Sequence, residues 1–402
     1  MGTTSQRALT INVGSSSLKA ALYCIGEQET LRLSVEVSRI GIHGGHQGSR
    51  MKVTDHNGAI LLDRQKHLPD HNTALQELFA WLAQHELGQG LNAVGHRIVH
   101  GGHHYHEPQL ITPELLAALQ ALAPLDPDHL PQAINGIRFV KHRYPALPQV
   151  VCFDTSFHCQ MPKVSRMYAL PHSFYDEGIR RYGFHGLSYE YITEQLRALD
   201  RVAADGRVIV AHLGNGASMA AIRGGQSIDT SMGFTPTEGL VMGTRAGDID
   251  PGLLLYLIDE KTMSPEAVKT LINKQAGLLG VSGTSADMRD LLEREANDPR
   301  AAEAIDLFCY RAKKYLGAYA AALGGVETLV FTGGIGERAA TIRKRICSGL
   351  EFLGIRIDPI RNQANANVIS GDDSRVKVRV IKTNEDLMIA RHTIKLISAM
   401  SI

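Results

Sequence analysis

Three glycine-bearing turns, spread along 402 residues, carry the residue types that hold phosphate groups. The first, Ile11 to Ala20 (INVGSSSLKA), sets Asn12 before Gly14, Ser15, Ser16, Ser17 and then Lys19. A glycine there admits close backbone approach, and consecutive N–H groups in such a turn form an anion nest. The second, His212 to Ser218 (HLGNGAS), puts Gly214 and Gly216 around Asn215. The third, Phe331 to Ala339 (FTGGIGERA), places Gly333, Gly334 and Gly336 between a strand and a helix start. Free N–H groups and the positive dipole end favour phosphate at such a start. None of the three is a P-loop, because G-x-x-x-x-G-K-[ST] does not occur. Singly, each turn reads equally well as a plain hairpin or helix entry. Together they suggest one nucleotide held between two domains.

The charged candidates sit in similar settings. Arg97 (GHRIVHGG) and Arg245 (MGTRAGDIDP) emerge beside glycines at strand ends or in loops, where α/β folds place ligands. Two guanidiniums can clamp a carboxylate or a transferring phosphoryl; the alternative for each is an ordinary ion-pair arginine. His185 (RRYGFHGLS) precedes a helix start, so its ring points from a loop into space or is satisfied within that loop. Asp154 (VCFDTSFH) ends a buried-looking strand, while Asp287 (GTSADMRD) and Glu385 (TNEDLMIA) open helices and could simply serve the helix dipole. A magnesium nucleotide would require at least one of these carboxylates. The histidine-rich HRIVHGGHHYHEP has no cysteine partner and a single acid, Glu107, which argues against a structural metal.

Positioning these residues requires alternating strands and helices. ALTINVGSSSLKAALYCI and RVIVAHLGNGASMAAI, about 200 residues apart, both read as hairpins and suggest two related domains. Leu75, Leu78, Phe79 and Leu82 share a helical face, and Thr112-Pro113-Glu114 and Ser264-Pro265-Glu266 read as capped helix starts. A long helix is expected from Pro299 to Leu323, stopped by Gly324-Gly325. Strands are expected at Ala93–Val99, Gln149–Phe153, Leu329–Phe331 and Val376–Ile381, with Thr383 and Asp386 as a capping box for a last helix. The class is α/β with mixed sheets. Tyr144 to Pro148 (YPALP) breaks the chain, so the domains are expected at 1–148 and 149–384.

Composition narrows the function. A formal charge of +1 leaves no basic stripe for nucleic acid or an anionic membrane. No apolar run approaches ~18 residues, and no secretory leader is visible at the start. Five isolated cysteines without C-x-x-C suggest reduced thiols and a cytoplasmic location.

The segments INVGSSSLK, GHRIVHGG, FDTSFH, RRYGFHGLS, HLGNGAS, DTSMGFTPTEGLVMGTRAGDIDP, FTGGIGERA and TNEDLMIA, in order from residue 8 to about 391, resemble the acetate/propionate kinase family. The resemblance implies the fold shared by sugar kinases, Hsp70 and actin: two ribonuclease-H-like domains with a nucleotide cleft between them. It also implies that the C-terminal helix, about 385–402, packs back on the first domain, and that the protein is a homodimer. The implied reaction is ATP + acetate ⇌ ADP + acetyl phosphate with Mg²⁺ (or Mn²⁺). Matched residue by residue, Asn12, Ser15, Ser17 and Lys19 fall in the first phosphate motif, and Arg97 and Arg245 are the catalytic arginines. Asp154 matches the aspartate at the reaction centre, and His185 the histidine at the transferring phosphoryl. His129, in HLPQAINGI, matches a further cleft histidine, although the preceding APLDPD departs from the family pattern. His212, Asn215 and Gly216 match the second phosphate loop, Gly334, Ile335 and Gly336 the third, and Asp287 and Arg289 the adenosine side. Glu385, with Asn12, matches the magnesium site, and Arg338 stands where the family has Asn. Val99, Phe184 and Pro236 match the pocket for the acyl methyl group. A branched Val99 favours acetate over propionate, though one methylene is worth only ~1–3 kcal/mol. The alternatives are a propionate or butyrate kinase with a wider pocket, and an Hsp70- or actin-like ATPase. The latter leaves Arg97, Arg245 and His185 without a purpose.

Overall fold

A computed structural model describes residues 5–14, 16–41, 48–126 and 129–400, the side chain of Leu125 excepted. The chain divides into two compact units, Met1–Ser156 with Asn384–Ile402, and Phe157–Thr383. The expected break at Tyr144 to Pro148 lies inside the first unit, because Gln149–Phe153 is a strand of that unit's sheet.

In the first unit the strands are β1 (Gln6–Val13), β2 (Ser17–Ile25), β3 (Thr30–Ser38), β4 (Ser49–Asp55), β5 (Ile60–Lys66), β6 (Ala93–Ile98), β7 (Gln109–Leu110) and β8 (Gln149–Phe153). They form one sheet in the order β5-β4-β3-β2-β1-β6-β8-β7. β1 and β2 make the antiparallel hairpin expected around Gly14, with Asn12 opposite Lys19. β1, β6 and β8 run parallel. The strand period of two then sorts the side chains. Leu9, Ile11 and Val13 join Leu75, Leu78, Phe79 and Leu82 of the His71–Gln84 helix in one core. Ala8, on the opposite face, packs against Ala390 and Ile394 of the Glu385–Met400 helix. Gly95 lets that helix come close: a Cβ there would lie 2.3 Å from Thr393 Oγ1 and 2.6 Å from Ile389 Cγ2.

The expected capping box at this helix does not form. Asn384 accepts the Leu387 N–H through its side chain at 3.0 Å and takes the capping role. Asp386 is instead engaged by Thr10 Oγ1 of β1, so a tertiary partner displaces the local one.

The second unit holds β9 (Arg207–Leu213), β10 (Ala217–Arg223), β11 (Gln226–Thr230), β12 (Thr328–Thr332) and β13 (Lys377–Val380) in the order β11-β10-β9-β12-β13. β9, β12 and β13 are parallel, and β10 and β11 return antiparallel. This repeats the β3-β2-β1-β6-β8 pattern of the first sheet, in agreement with two related α/β domains. Tyr189, Ile192 and Leu196 of the Gly186–Leu199 helix cover one face with Val208, Val210 and Val330. The Pro299–Leu323 helix contacts β9, β10 and β11; it begins at Asp298, which caps Arg300 and Ala301 N–H, and ends at left-handed Gly324.

Candidate active site

The parallel strands of the first unit gather one group of charged residues at their C-terminal ends. Asn12 is the penultimate residue of β1, Arg97 that of β6, and Asp154 follows β8 with its N–H bonded to Ile98 O at 2.9 Å. Arg97 lies two residues beyond Gly95, and so shares the sheet face over which the C-terminal helix begins. Its guanidinium grips Asp154 through two bonds, Nε to Oδ1 at 3.0 Å and Nη2 to Oδ2, while Nη1 donates to Asn12 Oδ1 at 3.2 Å. Glu385 Oε2, at the helix start, lies 4.0 Å from Arg97 Nε. Burial works against the Arg97 charge, but Asp154 and Glu385 outweigh it and hold the guanidinium above its usual range. Burial also pushes the Glu385 carboxyl up, against the pull of Arg97. Asp386 moves the same way, through burial and then the neighbouring Glu385.

The other first-unit candidates are less concentrated. Lys19 is exposed on β2 across from Asn12. Ser17 O accepts the Gly14 N–H at 2.8 Å, and a Cβ on Gly14 would lie 2.7 Å from Ser17 Oγ. Ser15 lies outside the described residues. Val99 is buried just past β6. His129, at the head of the Leu130–Arg143 helix, pairs through Nδ1 with buried Asp126 at 2.8 Å. Asp126 also adds to the field on Arg97, a role that no motif signalled.

In the second unit the glycine turns converge. A Cβ on Gly216 would lie 2.9 Å from Arg245 Nη2 and 3.2 Å from His185 Nε2, so both cationic-type side chains sit directly over this backbone. Gly214 N–H bonds to Gly216 O, and a Cβ on Gly214 would stand 3.9 Å from Gly334 N, which brings the second and third turns together. Asn215 O accepts the Gly243 N–H at 2.9 Å, tying this turn to the loop that carries Arg245. Arg245 Nη1 donates to Pro236 O at 2.6 Å. His185 takes a left-handed backbone (φ 59°), uncommon for a residue with a Cβ, and stacks on His212 with ring centroids 4.3 Å apart. Phe184 is buried, and its carbonyl accepts from His158 Nε2 at 3.1 Å. Burial lowers the His158 pKa to about 4, so this imidazole is neutral.

Sequence reasoning missed the groups behind these residues. His185 Nδ1 meets Ser218 Oγ at 2.9 Å, and Ser218 Oγ meets Tyr189 OH at 2.5 Å. His212 Nδ1 meets Ser188 Oγ at 2.8 Å, which in turn meets Thr383 Oγ1 at 2.8 Å. Tyr189 stands one helical turn after His185, the single spacing that could have pointed to it. Behind the third turn, the wholly buried Arg343 donates Nη1 to Gly336 O at 2.9 Å. The Gly333 N–H is taken by Glu337 Oε1 at 3.1 Å, whereas Gly334 is exposed and Ile335 half-buried. Asp287 caps the Met288–Arg294 helix and pairs with Arg289 at 2.7 Å on the surface. Arg338 is exposed.

Strand-end glycine turns beside guanidiniums and an oriented imidazole are the chemistry of phosphoryl transfer. The profile described as the Acetokinase family matches residues 7–391. The chain is 46% identical over 404 residues to an acetate kinase of Methylocella silvestris, covering 99% of each. It is likewise 46% identical over 394 residues to an acetate kinase of Rhodopseudomonas palustris, covering 96% of this chain and 98% of the relative. The crystal structure of Porphyromonas gingivalis acetate kinase matches with a TM-score of 0.86 at 39% identity, over 98% of this chain and 100% of that one. A propionate kinase from Francisella tularensis matches with a TM-score of 0.90 at 38% identity, over 97% and 99%. The chain belongs to the acetokinase family.

Proposed function

We infer that the chain moves the γ-phosphoryl of ATP to the carboxylate of acetate, giving acetyl phosphate and ADP, reversibly. Full-length relatives named acetate kinase at 46% identity support the acceptor. The similarity to a propionate kinase keeps propionate as a second, poorer acceptor.

The observation that carries the reading is the placement of a guanidinium in each unit, Arg97 at the ends of β1, β6 and β8, and Arg245 over Gly216 beside His185. A small carboxylic acid has a pKa near ~4–5 and is already a nucleophile at neutral pH, so no base is needed. The obstacle is bringing one anion to another. In this reading Arg97 receives the acid and steadies the phosphoryl, while Arg245 and His185 stabilise charge on its equatorial oxygens. An oxygen of the acetate attacks the γ-phosphorus, and the bond to the β,γ-bridging oxygen breaks to release ADP. Asp154, with both oxygens on Arg97, aims the guanidinium and is not a proton acceptor. Lys19, Ser15, Ser17, His212, Asn215 and the backbones of Gly216, Gly334, Ile335 and Gly336 are assigned to the phosphates, and Asp287 and Arg289 to the adenosine. Val99, Phe184 and Pro236 are assigned to the acyl methyl group, and His129 to the acid side.

The residues fit a divalent cation held mainly by nucleotide oxygens and water. Among the described residues no three metal-ligating acids, histidines or cysteines cluster. Asn12 Oδ1 and the half-buried Glu385, whose carboxyl burial pushes up, would hold the ion. When bound it would neutralise phosphate charge. The exposed Leu253, Leu255 and Tyr256 of the Pro251–Asp259 helix support a homodimer as part of the proposal.

Hydroxylamine trapping with ATP, Mg²⁺ and a series of short acids tests the reading. Acetyl hydroxamate is expected, with less from propionate. A folded preparation that forms no hydroxamate from any acid overturns it.

A further inference from the structure

We propose that Tyr189 and Ser218 are positioning residues that fix His185 as a neutral imidazole with its proton on Nε2. Three groups, Tyr189, Ser218 and His185, form one hydrogen-bonded chain. The Tyr189 hydroxyl is fully buried, and Ser218 Oγ, 2.5 Å away, is its side-chain partner. Buried donors in folded proteins find acceptors, so the phenol donates to Ser218 Oγ. The reverse direction would strand the phenolic proton. Ser218 has one hydroxyl proton, which then points to its other partner, His185 Nδ1, at 2.9 Å. Nδ1 must accept, and a neutral imidazole that accepts at Nδ1 carries its proton at Nε2.

The surroundings favour the same state. Nε2 lies on the side where Gly216 and Arg245 meet, and the His212 ring stacks on His185. Both the Arg245 guanidinium and any charge on His212 oppose a second proton on His185. The left-handed backbone at His185 starts the Gly186–Leu199 helix there, which puts Tyr189 one turn away on the same element. The consequence for catalysis rests on the acyl-kinase reading: His185 acts as an N–H donor to a phosphoryl oxygen, and neither as an imidazolium nor as a base. The relay itself does not depend on that reading.

Two measurements separate these claims. Nitrogen NMR of the ¹⁵N-histidine-labelled full chain, with the His185 signals identified by their loss in His185→Gln, reads the tautomer directly. At neutral pH the expected pattern is a protonated Nε2 and an unprotonated, hydrogen-bonded Nδ1. A proton on Nδ1, or on both nitrogens, overturns the proposal. Ser218→Ala and Tyr189→Phe are then expected to mix the tautomers and lower kcat by roughly 10- to 100-fold, on the scale of the loss when the outer partner of a metal-bound histidine is removed. KM for ATP changes little, the acid limb of the pH–rate profile moves to higher pH, and Ser218→Thr restores both. Unchanged tautomer and unchanged kcat in both variants also overturn it. Failure of the wild-type enzyme to phosphorylate any acid would remove the catalytic role and leave the NMR result standing.

Discussion

At the scale of single residues the design solves a charge problem more than a proton problem. All three guanidinium nitrogens of Arg97 are engaged before any substrate arrives, because Asp154 takes Nε and Nη2 and Asn12 takes Nη1, which leaves a second N–H on each Nη free to turn to an anion. A guanidinium held this way loses little further freedom when an anion binds, and Lys cannot reproduce the fork. Arg97→Ala is therefore expected to cut kcat by roughly 100- to 1,000-fold, with ADP affinity nearly unchanged by calorimetry, and Arg97→Lys recovers little of the loss. A large fall in ADP affinity would show that Arg97 serves the nucleotide instead. Gly216 offers a complementary test on the second unit. A methyl group there enters the space of Arg245 Nη2 and His185 Nε2, so Gly216→Ala is expected to depress kcat while the melting temperature stays near that of the wild type. The motifs showed which residues to suspect, each within its own short segment. The partners were hidden because His185 and Ser218 are 33 residues apart, and no local period links them.

Elements convert these residues into a site, and here local and tertiary forces compete. The Pro299–Leu323 helix is legible from its ends, an Asp-Pro start and a Gly-Gly stop, because both signals act within one turn of backbone. The two hairpins are legible for the same reason. The start of the last helix at Glu385 is legible as well, but its cap is not, since Asn384 and Asp386 answer to partners on β2 and β1 as well as to their own turn: Tyr23 OH donates to Asn384 Oδ1 at 3.0 Å, and Thr10 to Asp386. Nor is the end of the first unit, where the Pro-rich break at residues 145–148 is only an entry to β8. The helix start matters because it places Glu385. Gly95 sets how closely the helix can lie on the sheet, and a Cβ there meets Thr393 and Ile389. Gly95→Ala is expected to cost about 1–3 kcal/mol in urea unfolding, the range for overpacking a core. It is also expected to raise the Mg²⁺ concentration needed for half-maximal rate, although no ligand-facing side chain has changed. Full stability with unaltered Mg²⁺ dependence would mean that the helix is not positioned by this contact.

At the scale of the whole molecule, each unit carries a deeply buried histidine whose state is set by its surroundings, His96 in the first and His158 in the second. Burial lowers the pKa of His96 in the first unit to about 4, partly opposed by its bond to Gln149, and does the same to His158 in the second. In the unfolded chain both imidazoles take up protons near their ordinary value of 6.5. Between these values the unfolded state binds more protons than the folded one, so stability rises with pH through the window. The contribution of both groups is complete above pH ~6.5, falls as the solution is acidified, and is gone below pH ~4. Each shift corresponds to roughly 3 kcal/mol, so acidification weakens each unit through its own histidine. Glu385 and Asp386, pushed up by burial, act in the opposite sense, so the histidine part must be read as a difference between proteins. Urea unfolding of the wild type and of His158→Asn at pH 7.5, 6, 5 and 4 makes that comparison. The variant is expected to be less stable at pH 7.5, because Ser227 and Phe184 lose a fitted partner, yet to lose less stability on acidification. Parallel pH profiles for the two proteins would show that His158 takes up its proton as readily in the folded state as in the unfolded one, against the neutral ring that supports Phe184.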